Sequence, residues 1–221
     1  MEMEIHCGGN QHKPHSAPAL MPTMAARAVM EQEQRFMDLV LQNSSNAAIL
    51  ARLPHLELPG ACLTGGCLFQ TVWNVLSQRA AFADILDYDI FYFDDTDLSW
   101  EAEDAAIRRV SRALEDAGVQ VQVRNQARVH LWYEHRFGAP CEPLRSALDG
   151  IDHFLNQSSC FGIRSADSGL EVYAPFGFDD LFSMTVRPNR RRNLPTVYHE
   201  KAARWSAAWK GLKVLPWADT K

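Results

Sequence analysis

The sequence predicts an α+β (α/β) fold: a small mixed sheet flanked by helices, with extra helices toward the N- and C-terminal ends. Three observations carry this. Apolar residues recur with helical period over several long stretches. Between them lie short apolar or alternating runs, the strongest being LDYDIFYF at residues 86–93, rich in aromatic residues. The resulting order of helix, strand, helix, strand, helix, strand, strand, helix is that of a layered domain, and no internal repeat interrupts it.

The elements follow in order. Residues 1–24 carry Gly8, Gly9, Pro14, Pro18 and Pro22 among polar residues and read as a flexible tail, leaving 25–221 as a single domain. His6, Cys7, His12 and His15 lie in that tail without the rigid spacing of a metal site. Helical period runs from Ala25 to about Arg52, through Val29, Phe36, Val40 and Ile49. Asn43-Ser44-Ser45-Asn46 divides it, with a new N-cap expected near Ser45. Residues 61–64 form a short buried strand that runs into Gly65-Gly66, and 67–78 a helix with Leu68, Val72, Val75 and Leu76 on one side. After the 86–93 strand, Asp94-Asp95-Thr96-Asp97 turns the chain, Ser99 caps a helix to Ala117, and Gly118 ends it. Residues 119–123 alternate as a strand; 126–136 fit either helix or strand, with helix preferred, and 143–156 read as a helix. Residues 159–164 and 170–174 make a hairpin about Asp167-Ser168-Gly169. A short helix over 178–184 and a final helix over 195–212 complete the chain. Trp73, Trp132, Trp205 and Trp209 are expected in the core.

Composition narrows the function classes. Of 221 residues, 22 are basic and 27 acidic, a net charge of −5. No overall basic field draws the chain to nucleic acid or to an anionic membrane, although a local patch remains open. The five cysteines are scattered and form no CxxC, so they read as reduced thiols of a cytoplasmic protein rather than a zinc or disulfide framework. No apolar run reaches the ~18 residues of a membrane span, and the Met-Glu-Met-Glu start is unlike a signal peptide.

The chemistry concentrates at Asp87-x-Asp89. Strand alternation puts both acids on one face, with Phe91 and Phe93, and Tyr88, Ile90 and Tyr92 on the other. Unpaired carboxylates in a half-buried strand are costly, and a divalent cation is the natural compensation; arginine pairing or solvation is the plainer alternative. Magnesium takes one or two carboxylates plus phosphate oxygens and water. Thr64-Gly65-Gly66 precedes the pair at a strand-to-helix junction, where backbone N–H groups and the helix dipole suit a phosphate. It lacks the GK[ST] of a P-loop and the third glycine of a dinucleotide fingerprint.

A glycine pair at a helix start followed by an hDhDh strand resembles the DNA polymerase β-like nucleotidyltransferase superfamily, and more closely a family of bacterial nucleotidyltransferase-like proteins. The matching segments are Gly65-Gly66-Cys67, Thr71–Asn74, Asp87–Asp94, Asn125–Tyr133, Leu170–Phe182 and Val186–Asn189, so the resemblance spans about residues 30–212. It implies a polymerase β-like nucleotidyltransferase core that moves NMP from an NTP to an unidentified hydroxyl acceptor, a small molecule, a protein or an RNA, with release of pyrophosphate. Gly65 and Gly66 would then cradle phosphates, and Asp87 and Asp89 would hold Mg2+ or Mn2+. The superfamily adds a third carboxylate on a later strand. Residues 119–123 offer no acid, whereas Leu170-Glu171-Val172 fits the pattern, so Glu171 is the expected third catalytic acid. Where the family often carries Arg-Asn after its glycines, this chain has Phe69-Gln70.

Other candidates have plainer readings beside them. Asn125 and His130 read first as hydrogen-bonded structural residues, then as contacts to nucleotide or acceptor. Asp179 and Asp180 suit the start of the 178–184 helix. Arg187, Arg190, Arg191 and Arg192 form a basic loop, either solvated or gripping phosphate or RNA. Lys201 and Arg204 on the last helix are candidates for the triphosphate, against a simple wet face. Two competing functions stand beside the transferase: a catalytically silent nucleotide-binding or interaction protein on the same fold, and a thiol hydrolase using Cys67 and His130.

Overall fold

In the computed structural model, which describes residues 23–167 and 169–217, two helices precede the first strand. Helix α1 (Met24–Val40) is capped by Thr23, whose hydroxyl accepts from the Ala26 N–H at 3.2 Å. Helix α2 (Ser44–Arg52) is capped by Asn43 rather than at Ser45, because the Asn43 carboxamide oxygen accepts from the Ser45 N–H at 3.0 Å. The expected tail lies, up to residue 22, outside the described residues.

Five strands make the main sheet in the order β3-β2-β1-β4-β5: β1 (Cys62–Thr64), β2 (Tyr88–Tyr92), β3 (Val121–Asn125), β4 (Gly162–Ala166) and β5 (Gly169–Tyr173). Only β2 and β3 run parallel, and α4 (Trp100–Ala113) makes the crossover between them. Helix α3 (Gly66–Leu76) follows β1 directly. The remaining elements are α5 (Val129–Phe137), α6 (Ala147–Asp152), α7 (Asp179–Phe182), α8 (Pro195–Ala208) and a second, parallel pair, β6 (Thr185–Val186) with β7 (Lys213–Val214). This is the expected mixed sheet flanked by helices.

The two faces of the sheet differ as the alternation predicts. Leu63, Tyr88, Ile90, Tyr92, Val123 and Ile163 are buried in the main core with α1, α2, α3 and α4. The opposite face carries Cys62, Asp89, Phe91 and Phe93, and α6 covers part of it with Ala147 and Ile151. Helix α8 docks on the outer side of α3. There Trp73 meets Trp205 and Trp209 edge-on, its indole N–H donates to the Leu181 carbonyl at 3.0 Å, and the Trp209 N–H donates to Asn74 Oδ1 at 3.1 Å. Trp132 departs from the core expectation, with 37% of its surface exposed on α5.

Some boundaries move for local reasons. The helix expected over 143–156 shrinks to α6 because Ser146, not a residue near Pro143, caps it by accepting from the Asp149 N–H. The final helix stops at Ala208, since Lys213–Val214 pairs with β6, an edge two residues long that carries no periodic signal. No helix among the described residues is long and apolar enough to cross a membrane.

Candidate active site

The site forms where β1 ends. Thr64 is fixed by its hydroxyl donating to the Phe161 carbonyl at 2.6 Å. Gly65 then takes φ +82°, a conformation natural to glycine, and Gly66 opens α3 with its N-terminal amides free of any side-chain cap. Thr64 lies opposite Asp89 in the antiparallel ladder, so the bend passes directly over the carboxylate. A β-carbon at Gly65 would overlap Asp89 Oδ2, and glycine alone permits this approach. The buried network beneath is polar: Asn43 donates to Thr71 Oγ1 and to the Tyr88 hydroxyl, and Asn46 donates to the Cys67 carbonyl, which ties α2 to the first turn of α3.

Asp87, just ahead of β2, accepts from Gln122 Nε2 at 2.5 Å, and Gln122 stands opposite Asp89 in the ladder, so both acids lie beside one side chain. Burial, and then the neighbouring Asp87 charge, push the Asp89 carboxyl from its ordinary 3.8 up to about 7, with Arg124 and Lys201 pulling the other way. Lys201, on α8, is lowered by its protein surroundings and by Arg204, against the pull of Asp89 and Asp87. One end of the sheet therefore gathers a glycine bend, two carboxylates and three cations, although the chain as a whole is acidic.

The donor set suits a divalent cation shared with phosphate. Among the described residues no three His, Cys, Asp or Glu side chains cluster as a self-sufficient metal site. Magnesium does not require one, because one or two carboxylates plus phosphate oxygens and water complete its shell. Asp89 is raised partly because a second carboxylate repels it, the imbalance that a cation would relieve.

A sequence profile described as nucleotidyltransferase matches residues 51–214. The chain belongs to this nucleotidyltransferase family. A solved NMR structure described as revealing a CCA-adding enzyme head domain is similar in fold, with a TM-score of 0.67 at 22% identity over 83% of this chain and 95% of that chain. No curated protein matches in sequence.

Of the expected site residues, Gly65, Gly66, Asp87, Asp89 and Lys201 come together, and Arg204 joins them through Lys201. Glu171 does not. It sits on β5, with β4 and β1 between it and β2, roughly 14 Å away at ~4.8 Å per strand. There it pairs with Arg164 at 2.7 Å, its cross-strand neighbour. Gln122 stands instead beside the pair, opposite Asp89 in the parallel ladder, and Arg124 follows it on the same face. The alternation of 119–123 carried that signal, but the parallel partner of the strand was needed to use it.

The basic loop is largely tied down within the protein. Arg187 grips Asp180 at 2.7 and 3.0 Å, Arg191 pairs with Asp152 at 2.8 Å, and Arg192 stacks on Tyr133. Asn125 is structural, accepting from the Ala127 and Asp94 N–H groups. Asp179 accepts from Gln32 of α1. Cys67 is fully buried beside both aspartates, and burial holds its thiol well above the ordinary value, so it supplies no thiolate nucleophile.

Proposed function

We propose that the protein is a magnesium- or manganese-dependent nucleotidyltransferase that moves NMP from an NTP to a hydroxyl acceptor. The observation that carries this reading is the contact between the Gly65 bend and the Asp89 carboxylate, which sets a phosphate cradle directly against a pair of acids. The backbone N–H groups of Gly66 and Cys67 at the start of α3 receive phosphate oxygens, favoured by the helix dipole. Lys201 and Arg204 balance the triphosphate charge from α8. Asp87 and Asp89 hold the metal ion, which when bound there supplies charge neutralisation and orients the phosphate oxygens. The acceptor oxygen forms a bond to the α-phosphorus as the α–β bridging bond breaks; the electron pair leaves with pyrophosphate and the hydroxyl proton passes to water. Placement and fixed charge do most of the work in such a step.

The test is calorimetric titration with α,β-methylene ATP in the presence of Mg2+, followed by transfer of label from [α-32P]NTPs to a metabolite extract. Magnesium-dependent binding that Asp87→Asn and Asp89→Asn both remove, together with label transfer, is expected. Full transfer by either variant overturns the assignment.

Gln122 supports a second reading, a nucleotide-binding protein without turnover. The amide at this position binds Asp87 but cannot take a proton from an acceptor hydroxyl. Tight NTP binding with no pyrophosphate released from any acceptor would select it.

A further inference from the structure

A cavity of about 360 Å3 opens beside the aspartate pair, floored by Phe91 and Arg124 of the sheet and walled by α5, the 150–155 segment and α8. Its lining includes Arg124, Arg136, Arg192 and Lys201 and no carboxylate, in a chain whose net charge is −5. The rest of the wall is largely apolar and aromatic, including the exposed Trp132. The Arg192 guanidinium lies 3.9 Å over the Tyr133 ring, Nη2 reaches only the weak acceptor Cys141 Sγ, and Nη1 is buried with no hydrogen-bond partner among the described residues. Nη1 is closed off from solvent, so what calls for an anion from outside the chain is the whole set, four cations around one cavity with no carboxylate in its lining.

Two elements fix the direction of this cavity relative to the chemistry. Along β2, Phe91 lies in the cavity, Asp89 follows under Gly65, and Asp87 lies beyond, toward the α3 N-terminus. Along α8, Val197 lies in the cavity, Lys201 beside the aspartates, Arg204 beyond it, and Trp205 against Phe69 in the first turns of α3. Both give the same order: cavity, carboxylates, phosphate bend. Attacking and leaving oxygens stand in line across the phosphorus in a phosphoryl transfer. With pyrophosphate leaving at the bend, the attacking hydroxyl comes from the cavity side.

We propose that this cavity seats the acceptor, a small molecule with a flat aromatic body against Trp132 and Phe91, an anionic group on Arg192, and its hydroxyl toward Asp89. The assignment rests on the transferase reading above; the anion seat itself does not. Its probes are the aromatic sulfonate 1-anilinonaphthalene-8-sulfonate and the uncharged N-phenyl-1-naphthylamine, titrated by fluorescence into the full chain without metal or nucleotide. Sulfonate binding should weaken at least tenfold in Arg192→Met and several-fold in the exposed-site variants Arg136→Met and Trp132→Ala. Arg187→Met, whose arginine pairs with Asp180 outside the cavity, should bind as wild type. The uncharged probe should respond to Trp132→Ala and not to Arg192→Met. Sulfonate affinity that none of the cavity variants changes overturns the seat. Added Mg2+ and α,β-methylene ATP should leave sulfonate affinity within twofold; competitive displacement would make the cavity the seat of the nucleotide base and overturn the acceptor assignment. If no nucleotide binds under any condition, the transferase reading and the acceptor role fall together, while the variant series still decides the anion seat.

Discussion

The Asp89 carboxylate occupies the space that a β-carbon at Gly65 would need. Glycine bend and acid are thus one mechanical unit, and each constrains what the other position can carry. Gly65→Ala should cost about 2–4 kcal/mol, from overlap with Asp89 and from the φ of +82°. Urea denaturation checks this, and Asp89→Ala in the same chain should recover roughly half, because the overlap goes while the backbone strain stays. Strictly additive costs would show that the two residues do not touch.

Asp89 predicts how the metal-free protein responds to pH. Its carboxyl titrates near 7 in the fold against an ordinary 3.8, so the fold favours the neutral form. That contribution is complete below about pH 4 and is lost as the pH rises through 7. Asp89→Asn is neutral throughout. In chelator it should nearly match wild type at pH 4, gain steadily between pH 4 and 7, and exceed it by roughly 2 kcal/mol at pH 8.5, below the ~4 kcal/mol of an unscreened three-unit shift. Thermal melts at the two pH values decide the matter; an advantage that does not grow with pH would contradict it.

Gln122 marks where a third acid would stand, 2.5 Å from Asp87 by its amide nitrogen. Gln122→Glu should tighten Mn2+ binding by about tenfold, or ~1.4 kcal/mol, and should destabilise the metal-free protein at pH 8 by about 1 kcal/mol through like-charge repulsion. Titration calorimetry with Mn2+ reads the first effect. Unchanged affinity would place the ion away from Asp87.

Glu171 should matter little. Its pair with Arg164 is about half-exposed, and such pairs contribute roughly 0–1 kcal/mol. Glu171→Gln should leave Mn2+ affinity within twofold and stability within about 0.5 kcal/mol. A loss comparable to that of Asp87→Asn would show that the β5 edge reaches the pair after all.

The sequence by itself determined the layered α+β fold, the glycine bend after β1, and the common face of Asp87 and Asp89. Each is a local signal: strand alternation and the backbone freedom of glycine act over a few residues. It also marked Trp73, Trp205 and Trp209 as core, since their neighbours repeat with helical period. What only the tertiary structure decided were the companions of the aspartates. Glu171 fitted the local pattern of a third acid, yet strand order put two strands between it and β2. Gln122 and Arg124 became neighbours of the pair through a parallel register, and Lys201 arrived on a helix that docks through tryptophans far along the chain. Local pattern fixes the face on which a side chain stands; which strands and helices lie beside that face depends on long-range packing.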